Sequence, residues 1–178
     1  RGELSDMILK LTPFSFELAM FYLRDVLKFD LNKVAREYKA NHFRLQRDLI
    51  LKYDSKLLDF LDEKYSSFRE GDVSLDNIVY ILEYINADQV IFNKFLVIRV
   101  VESEVRNKVA HQMISVSEDK ITQLMENREK KEMINLPKNS SRIIDLCESL
   151  LKIIFKSKIQ GDDFIYDRIN AIVKELMV

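Results

Sequence analysis

The sequence predicts an all-α fold, a multi-helix bundle, on three observations. Turn formers are scarce: 178 residues include Gly 3 and Pro 2, too few for a sheet built on tight hairpins. Leu, Ile, Lys and Glu dominate the chain, a composition that suits long helices. Apolar residues make up 47% of it, enough for a sizeable core in one domain or a compact pair of subdomains.

The elements follow from punctuation. Thr12-Pro13 reads as an N-cap and first helical residue, opening a helix to about Lys28. Asp30 caps a second helical region that runs to about Ser67, with a break near Tyr53-Asp54. Gly71-Asp72 reads as a turn, and Ser74 caps a short helix to about Asn86. Asp88 caps the next helix, where apolar residues crowd Val90 to Val101. A helix apolar on so many sides is surrounded by others, and its end is expected between Gln112 and Val116. Ser117, with Glu118-Asp119 behind it, is a fresh N-cap for a helix to about Arg128. The polar stretch "REKKEMINLPKNSS" reads as a loop, Ser140 or Ser141 opens a helix to about Lys158, and Asp162 or Asp163 starts a last one after Gly161.

Charge and cysteine content narrow the function. Lys+Arg 28 against Asp+Glu 29 gives a net charge of -1, so any nucleic-acid site has to be a local patch. Cys147 is the lone cysteine. It rules out an internal disulfide and points to a reducing, cytoplasmic setting. Two histidines and one cysteine argue against a zinc site, and no metal is expected. No apolar run reaches the length of a membrane span. Arg1 rather than Met opens the chain, and we read it as a piece of a larger protein.

The chemistry concentrates after the apolar run "FLVIRVV", in "ESEVRNKVAH". On an α-helix Asn107 and His111 are i, i+4 and share a face. Arg106, five residues before His111, lies about 140° around the axis and roughly 7.5 Å along it. One copy therefore splays the two, whereas two copies about a two-fold axis bring them to a shared cleft. Arginine offers a permanently charged donor fork for phosphate, asparagine orients, and histidine moves a proton near neutral pH. These parts suffice for metal-free RNA cleavage, in which the ribose 2′-OH attacks the adjacent phosphate. The bland alternative makes Arg106 the i, i+4 partner of Glu102 in a surface ion pair, with His111 a helix C-terminal cap. A second spacing, Arg36 to His42, has glutamate after the arginine and reads as a solvated helix face.

At "RNKVAH" the sequence resembles the HEPN ribonuclease superfamily, whose signature is Arg, a polar residue and His at Arg-x4–6-His spacing; Arg106, Asn107 and His111 match it. The opening "LTPFSFELAMFYL" and the helical pattern are similar to one branch, the C-terminal HEPN portion of the CARF–HEPN ancillary ribonucleases of type III-A CRISPR systems. The resemblance implies an HEPN-type bundle, a homodimer with a composite active site, and metal-independent endoribonuclease activity on single-stranded RNA in antiviral defence. In these catalytic roles Arg106 stabilises the phosphate, Asn107 orients and His111 acts as acid or base. No cofactor is implied within these residues, and a cyclic oligoadenylate activator is expected on an upstream sensor domain. Residues 1–86 then form an N-terminal helical part and a link to that sensor, and 87–178 the HEPN core.

Lys120 to Arg142 hold six Lys/Arg and three Glu. Arg128, Lys130, Lys131, Lys138 and Arg142 are candidates for an RNA-binding rim beside the cleft. Tyr22, Phe21, Phe164 and Tyr166 read as core or interface. Two other readings stay open: a non-catalytic HEPN nucleotide-binding or dimerisation module, and a toxin-type HEPN ribonuclease.

Overall fold

A computed structural model describes residues 3–40, 42–106, 117–132 and 135–155. The described chain is mostly helical, as expected, but not all-α: a small three-stranded sheet interrupts the helices.

Helix α1 spans Glu3–Phe21 with Pro13 inside it. The expected start at Thr12 is therefore corrected. Leu4, Met7, Ile8 and Leu11 recur at helical spacing before the proline, and burial of Leu11, Leu18, Ala19 and Met20 holds the helix through it. Pro13 has no N–H to offer the carbonyl four residues back. Two residues on, the buried Ser15 hydroxyl donates to the Leu11 carbonyl at 2.8 Å. The helix ends in a wide π turn, Tyr22–Val26, closed by Leu27 N–H to the Tyr22 carbonyl at 3.0 Å and followed by Lys28 in the left-handed region (φ 56°).

Asp30 does cap, accepting from Asn32 N–H at 3.2 Å, but it starts only a 3-10 turn, Leu31–Lys33. The long second helix expected here is then overturned. Strand β1 (Ala35–Lys39) pairs antiparallel with β2 (His42–Leu45), Ala35 opposite Leu45, with an irregularity between Glu37 and Lys39. The reason is a period of two: Phe43 and Leu45 are buried while His42 and Arg44 face out. Gly71-Asp72, expected as a turn, is instead the short strand β3, with Arg44 opposite Asp72. Helices resume with α2 (Arg47–Tyr53) and α3 (Ser55–Tyr65), broken at Asp54 as the sequence indicates. The Arg47 guanidinium grips both oxygens of Asp62, at 2.7 and 2.8 Å, and pins α2 to α3.

Ser74 caps α4 (Leu75–Tyr84) in a reciprocal box with Asn77. Asp88 caps α5 (Gln89–Val101), accepting from Val90 N–H at 2.9 Å and Ile91 N–H at 3.2 Å. Ser117 accepts from Lys120 N–H at 3.3 Å and opens α6 (Glu118–Glu132). This helix runs past Arg128, so the expected loop shrinks. The cap of α7 (Ser140–Ile154) is Asn139, one residue before the serines the sequence suggests. The expected end of the motif helix, the last turn to Lys158 and the final helix lie outside the described residues.

One hydrophobic core runs from Leu11 to Ile154, so residues on both sides of position 86 share it. Helix α5 is its axis, packed against α1, α4 and α7, with Phe95 and Ile98 fully buried. Among the described residues no helix is long and apolar enough to cross a membrane.

Two outcomes test this packing. Phe95→Ala should cost about 3–5 kcal/mol in urea denaturation; a loss below about 1 kcal/mol would mean α5 is not the axis. The Arg47 guanidinium, helped by Phe68 N–H, holds the Asp62 carboxyl below the usual carboxylate range. The stability that shift contributes is complete above the unfolded carboxylate value, about pH 4, and is lost as pH falls through the depressed folded value. Asp62→Asn should therefore lower the melting temperature at pH 7 and flatten its acid dependence; an unchanged acid limb would contradict the pairing.

Candidate active site

The motif follows a helix with a well-buried face, α5. Asp88 fixes where α5 begins, and Ile91, Phe95, Ile98, Val100 and Val101 fix its rotation by burial. Lys94 Nζ donates to Ser149 Oγ at 2.8 Å, tying α5 to α7. Arg99 pairs with Asp76 and donates to the Tyr80 hydroxyl at 3.1 Å, tying it to α4. The chain then widens into a second π turn, Glu102–Arg106, whose last residue is the first of the polar trio. Such turns are rare inside helices and frequent at functional sites, because one extra residue re-aims every side chain after it.

Two side chains hold this turn from outside. The Ser15 hydroxyl of α1, whose one proton goes chiefly to the Leu11 carbonyl, lies 3.4 Å from Glu102 Oε2, the minor arm of a shared hydrogen bond. Arg128 Nη1 of α6 lies 3.3 Å from Glu104 Oε1. Val105 between them is buried, and Ser103 turns outward with its hydroxyl on the Val100 carbonyl at 3.0 Å. Arg106 therefore sits at the end of an anchored turn. Its side chain, Asn107 and His111 lie outside the described residues. Glu102, the partner in the bland reading of Arg106, is half-buried and accepts from Ser15.

The rim candidates separate. Arg128 is two-thirds buried beside Glu104. The Lys138 carbonyl accepts from Thr122 Oγ1 at 2.6 Å, fastening the segment before α7 onto α6. Arg142 is exposed in the first turn of α7, lining a shallow cleft of about 410 Å³ with Lys94, Asn93 and Asp145. Lys130 and Lys131 lie in the last turn of α6, and their side chains are outside the description.

The Arg36–His42 spacing falls on the β1–β2 hairpin, not on the helix face expected for it. Arg36 is exposed and pairs with Asp48 at 3.3 Å, and the His42 ring is tilted against Tyr38. Tyr22 is buried and Phe21 stacks on Phe155 at 4.9 Å between centroids, so both are packing residues. Phe164 and Tyr166 lie outside the described residues. Burial pushes the Cys147 thiol up to about 11, which leaves it protonated and unreactive at neutral pH. Among the described residues no three His, Cys, Asp or Glu side chains group as a metal site requires. The contacts of Ser15 with Glu102 and of Arg128 with Glu104 escape a sequence reading because they exist only once α1 and α6 pack beside the turn.

The helical bundle with its small three-stranded sheet is a HEPN-like fold. More particularly, the family model of the Cas_Csm6 HEPN domain matches residues 1–174, and the chain belongs to that CRISPR-associated family. Among solved structures it is similar to Enterococcus italicus Csm6, determined bound to cyclic hexa-2′-fluoro-hexa-dAMP. The TM-score is 0.63 at 16% identity, over 99% of this chain and 37% of that one. At that identity the likeness speaks for the fold, and the chain spans little more than a third of that protein's length. No curated protein sequence matches significantly.

The Asp88 cap sets the start of the motif helix, so Asp88→Ala should cost about 1 kcal/mol and speed hydrogen exchange at the Val90 and Ile91 amides. Unchanged exchange there would show that packing alone sets the start of α5.

Proposed function

We propose that this chain is the nuclease portion of a CRISPR type III defence protein, a metal-independent endoribonuclease acting on single-stranded RNA. The observation that carries the reading is the coincidence of two facts. The chain matches the Csm6 HEPN family over residues 1–174, and its Arg-Asn-x3-His spacing begins where the buried α5 ends in an anchored π turn.

The chemistry follows from the residue types. A histidine base takes the proton of the ribose 2′-OH as that oxygen attacks the adjacent phosphorus. The Arg106 guanidinium meets the charge that grows on the phosphate oxygens, and Asn107 orients the imidazole or the hydroxyl. The 5′-oxygen leaves with a proton from a histidine acting as acid. The products are a 2′,3′-cyclic phosphate and a 5′-OH end, and DNA, lacking the 2′-OH, is spared. On an ideal α-helix, residues five apart lie about 140° around the axis from each other, which splays Arg106 and His111, so a homodimer supplies both sets about its two-fold axis. Lys130, Lys131, Lys138 and Arg142 form the RNA rim. The neighbour's bound cyclic hexanucleotide analogue supports a cyclic oligoadenylate activator for the whole protein, held on a sensor domain outside these residues. The setting is cytoplasmic.

The test is cleavage of end-labelled single-stranded RNA. Wild type should cut with EDTA present and leave cyclic-phosphate ends, and His111→Ala should lose about 10²–10⁴-fold in rate. Activity that survives the substitution, or that chelator abolishes, contradicts the assignment. Binding of RNA without cleavage by wild type would favour the non-catalytic module.

A further inference from the structure

The β1–β2 hairpin is the part of the fold that the ribonuclease reading leaves without a task. Positions 33–47 hold five Lys/Arg against one Glu, a denser positive excess than the 120–142 stretch carries, in a chain of net charge -1. Antiparallel pairing gathers part of that charge on one face. Arg36 stands directly opposite Arg44, and Arg44 alternates with Phe43 and Leu45, which are buried on the other side. Like charges in opposite positions destabilise a sheet, so this pair calls for a counter-charge. Asp48 lies 3.3 Å from Arg36, with both side chains mostly exposed, and Asp72 stands opposite Arg44. Exposed pairs of that kind contribute little, and an incoming phosphate can take the carboxylate's place.

The same face carries an aromatic surface. Glu37 pairs with Phe43 and Lys39 with His42, which leaves Tyr38 as the extra residue of a bulge. Bulges re-aim a side chain. Tyr38 is 57% exposed, and no large apolar side chain among the described residues is more so. Its hydroxyl hydrogen-bonds the Asp72 carboxylate, and the His42 ring lies 6.1 Å away, tilted by 47°. An unpaired base needs a π surface to stack on, with a cationic donor for its phosphate nearby. Arg36 and Tyr38 are two residues apart, about 7 Å along the strand, so one nucleotide spans both.

We propose that the outward face of the β1–β2 hairpin, formed by Arg36, Tyr38, His42 and Arg44, is a binding surface for single-stranded RNA, built from residues other than the catalytic trio. The choice of RNA rests on the ribonuclease reading above. Tyr38 stacks on a base, His42 flanks it, and Arg36 and Arg44 meet phosphates.

The experiment measures Kd by fluorescence anisotropy, across a salt series, for a 2′-O-methyl RNA strand, which lacks the nucleophile and stays intact. Tyr38→Ala should weaken binding about 10-fold, the scale of one lost base stack, and Tyr38→Phe should bind within about 2-fold of wild type. The double variant Arg36→Gln/Arg44→Gln should make the slope of log Kd against log salt shallower by about 1.4, at roughly 0.7 per phosphate of a single strand. A duplex of the same sequence, its bases already paired and stacked, should lose less than about 2-fold with Tyr38→Ala. Unchanged single-strand affinity in Tyr38→Ala and in the double variant overturns the proposal. The same result with a shift in sedimentation overturns it too, and gives the face to a second copy of the chain. An equal loss for strand and duplex contradicts the stacking role. Should Tyr38→Ala not fold, wild type crosslinked to a strand bearing 4-thiouridine decides: label on the hairpin peptide supports the proposal, and label confined to other peptides overturns it. Wild type that cleaves RNA while the hairpin variants bind normally sinks this surface alone, whereas wild type that neither binds nor cuts RNA refutes the ribonuclease reading as well.

Discussion

Burial of α5 is the constraint on which the rest of the structure depends. The helix touches α1, α4 and α7 and buries five of its side chains almost completely. Rotating it by one residue would drive Lys94 and Arg99, or Arg99 and Glu102, into the core, at a cost of several kcal/mol for each unsatisfied polar group. Its direction is thus fixed, and so is the point at which the polar residues after it emerge. Core packing thus fixes where the Arg106 turn begins, at the end of a well-buried helix.

Packing alone does not set the register of the last turn. A π turn holds one residue more than its α counterpart, and something outside the helix has to select it. The candidates are Ser15 on Glu102 and Arg128 on Glu104, one from each flanking helix. Both bonds join segments far apart in the chain, so the turn is defined only when α1, α5 and α6 have docked. This ties the geometry of the site to completion of the fold, and it explains how a domain 16% identical to its structural neighbour can keep the same architecture. Hydrophobic volume and a few polar braces suffice, and most surface positions are free to vary.

Legibility in the sequence followed the range of the interaction responsible. Asp88, Ser74 and Ser117 are short polar residues standing directly before helical runs, and each caps as its local sequence says. Asp54 likewise marks the break between α2 and α3. The hairpin was not readable because β1 has one buried position, Ala35, and four exposed ones filled with residues that suit helices equally well. Its partner shows period-two burial over only four residues, and the third strand is two residues long. At Pro13 a strong local signal lost to a longer one, since burial of α1 on both sides of the proline outweighs the hydrogen bond it removes. The Arg106–Asn107–His111 spacing was visible as a pattern. The contacts on the turn that leads into it were not, because Ser15 meets Glu102 and Arg128 meets Glu104 only in three dimensions.

The claim at the centre is that Arg106 and His111 of two copies meet around one phosphodiester. The most direct measurement is a crystal structure of this chain with a 2′-deoxy-substituted, uncleavable RNA strand. The account predicts a two-fold dimer in which both copies' guanidinium and imidazole groups lie within hydrogen-bond reach of a single phosphate. A structure with these groups on outward faces, tens of ångströms from their symmetry mates and from the bound strand, would contradict it.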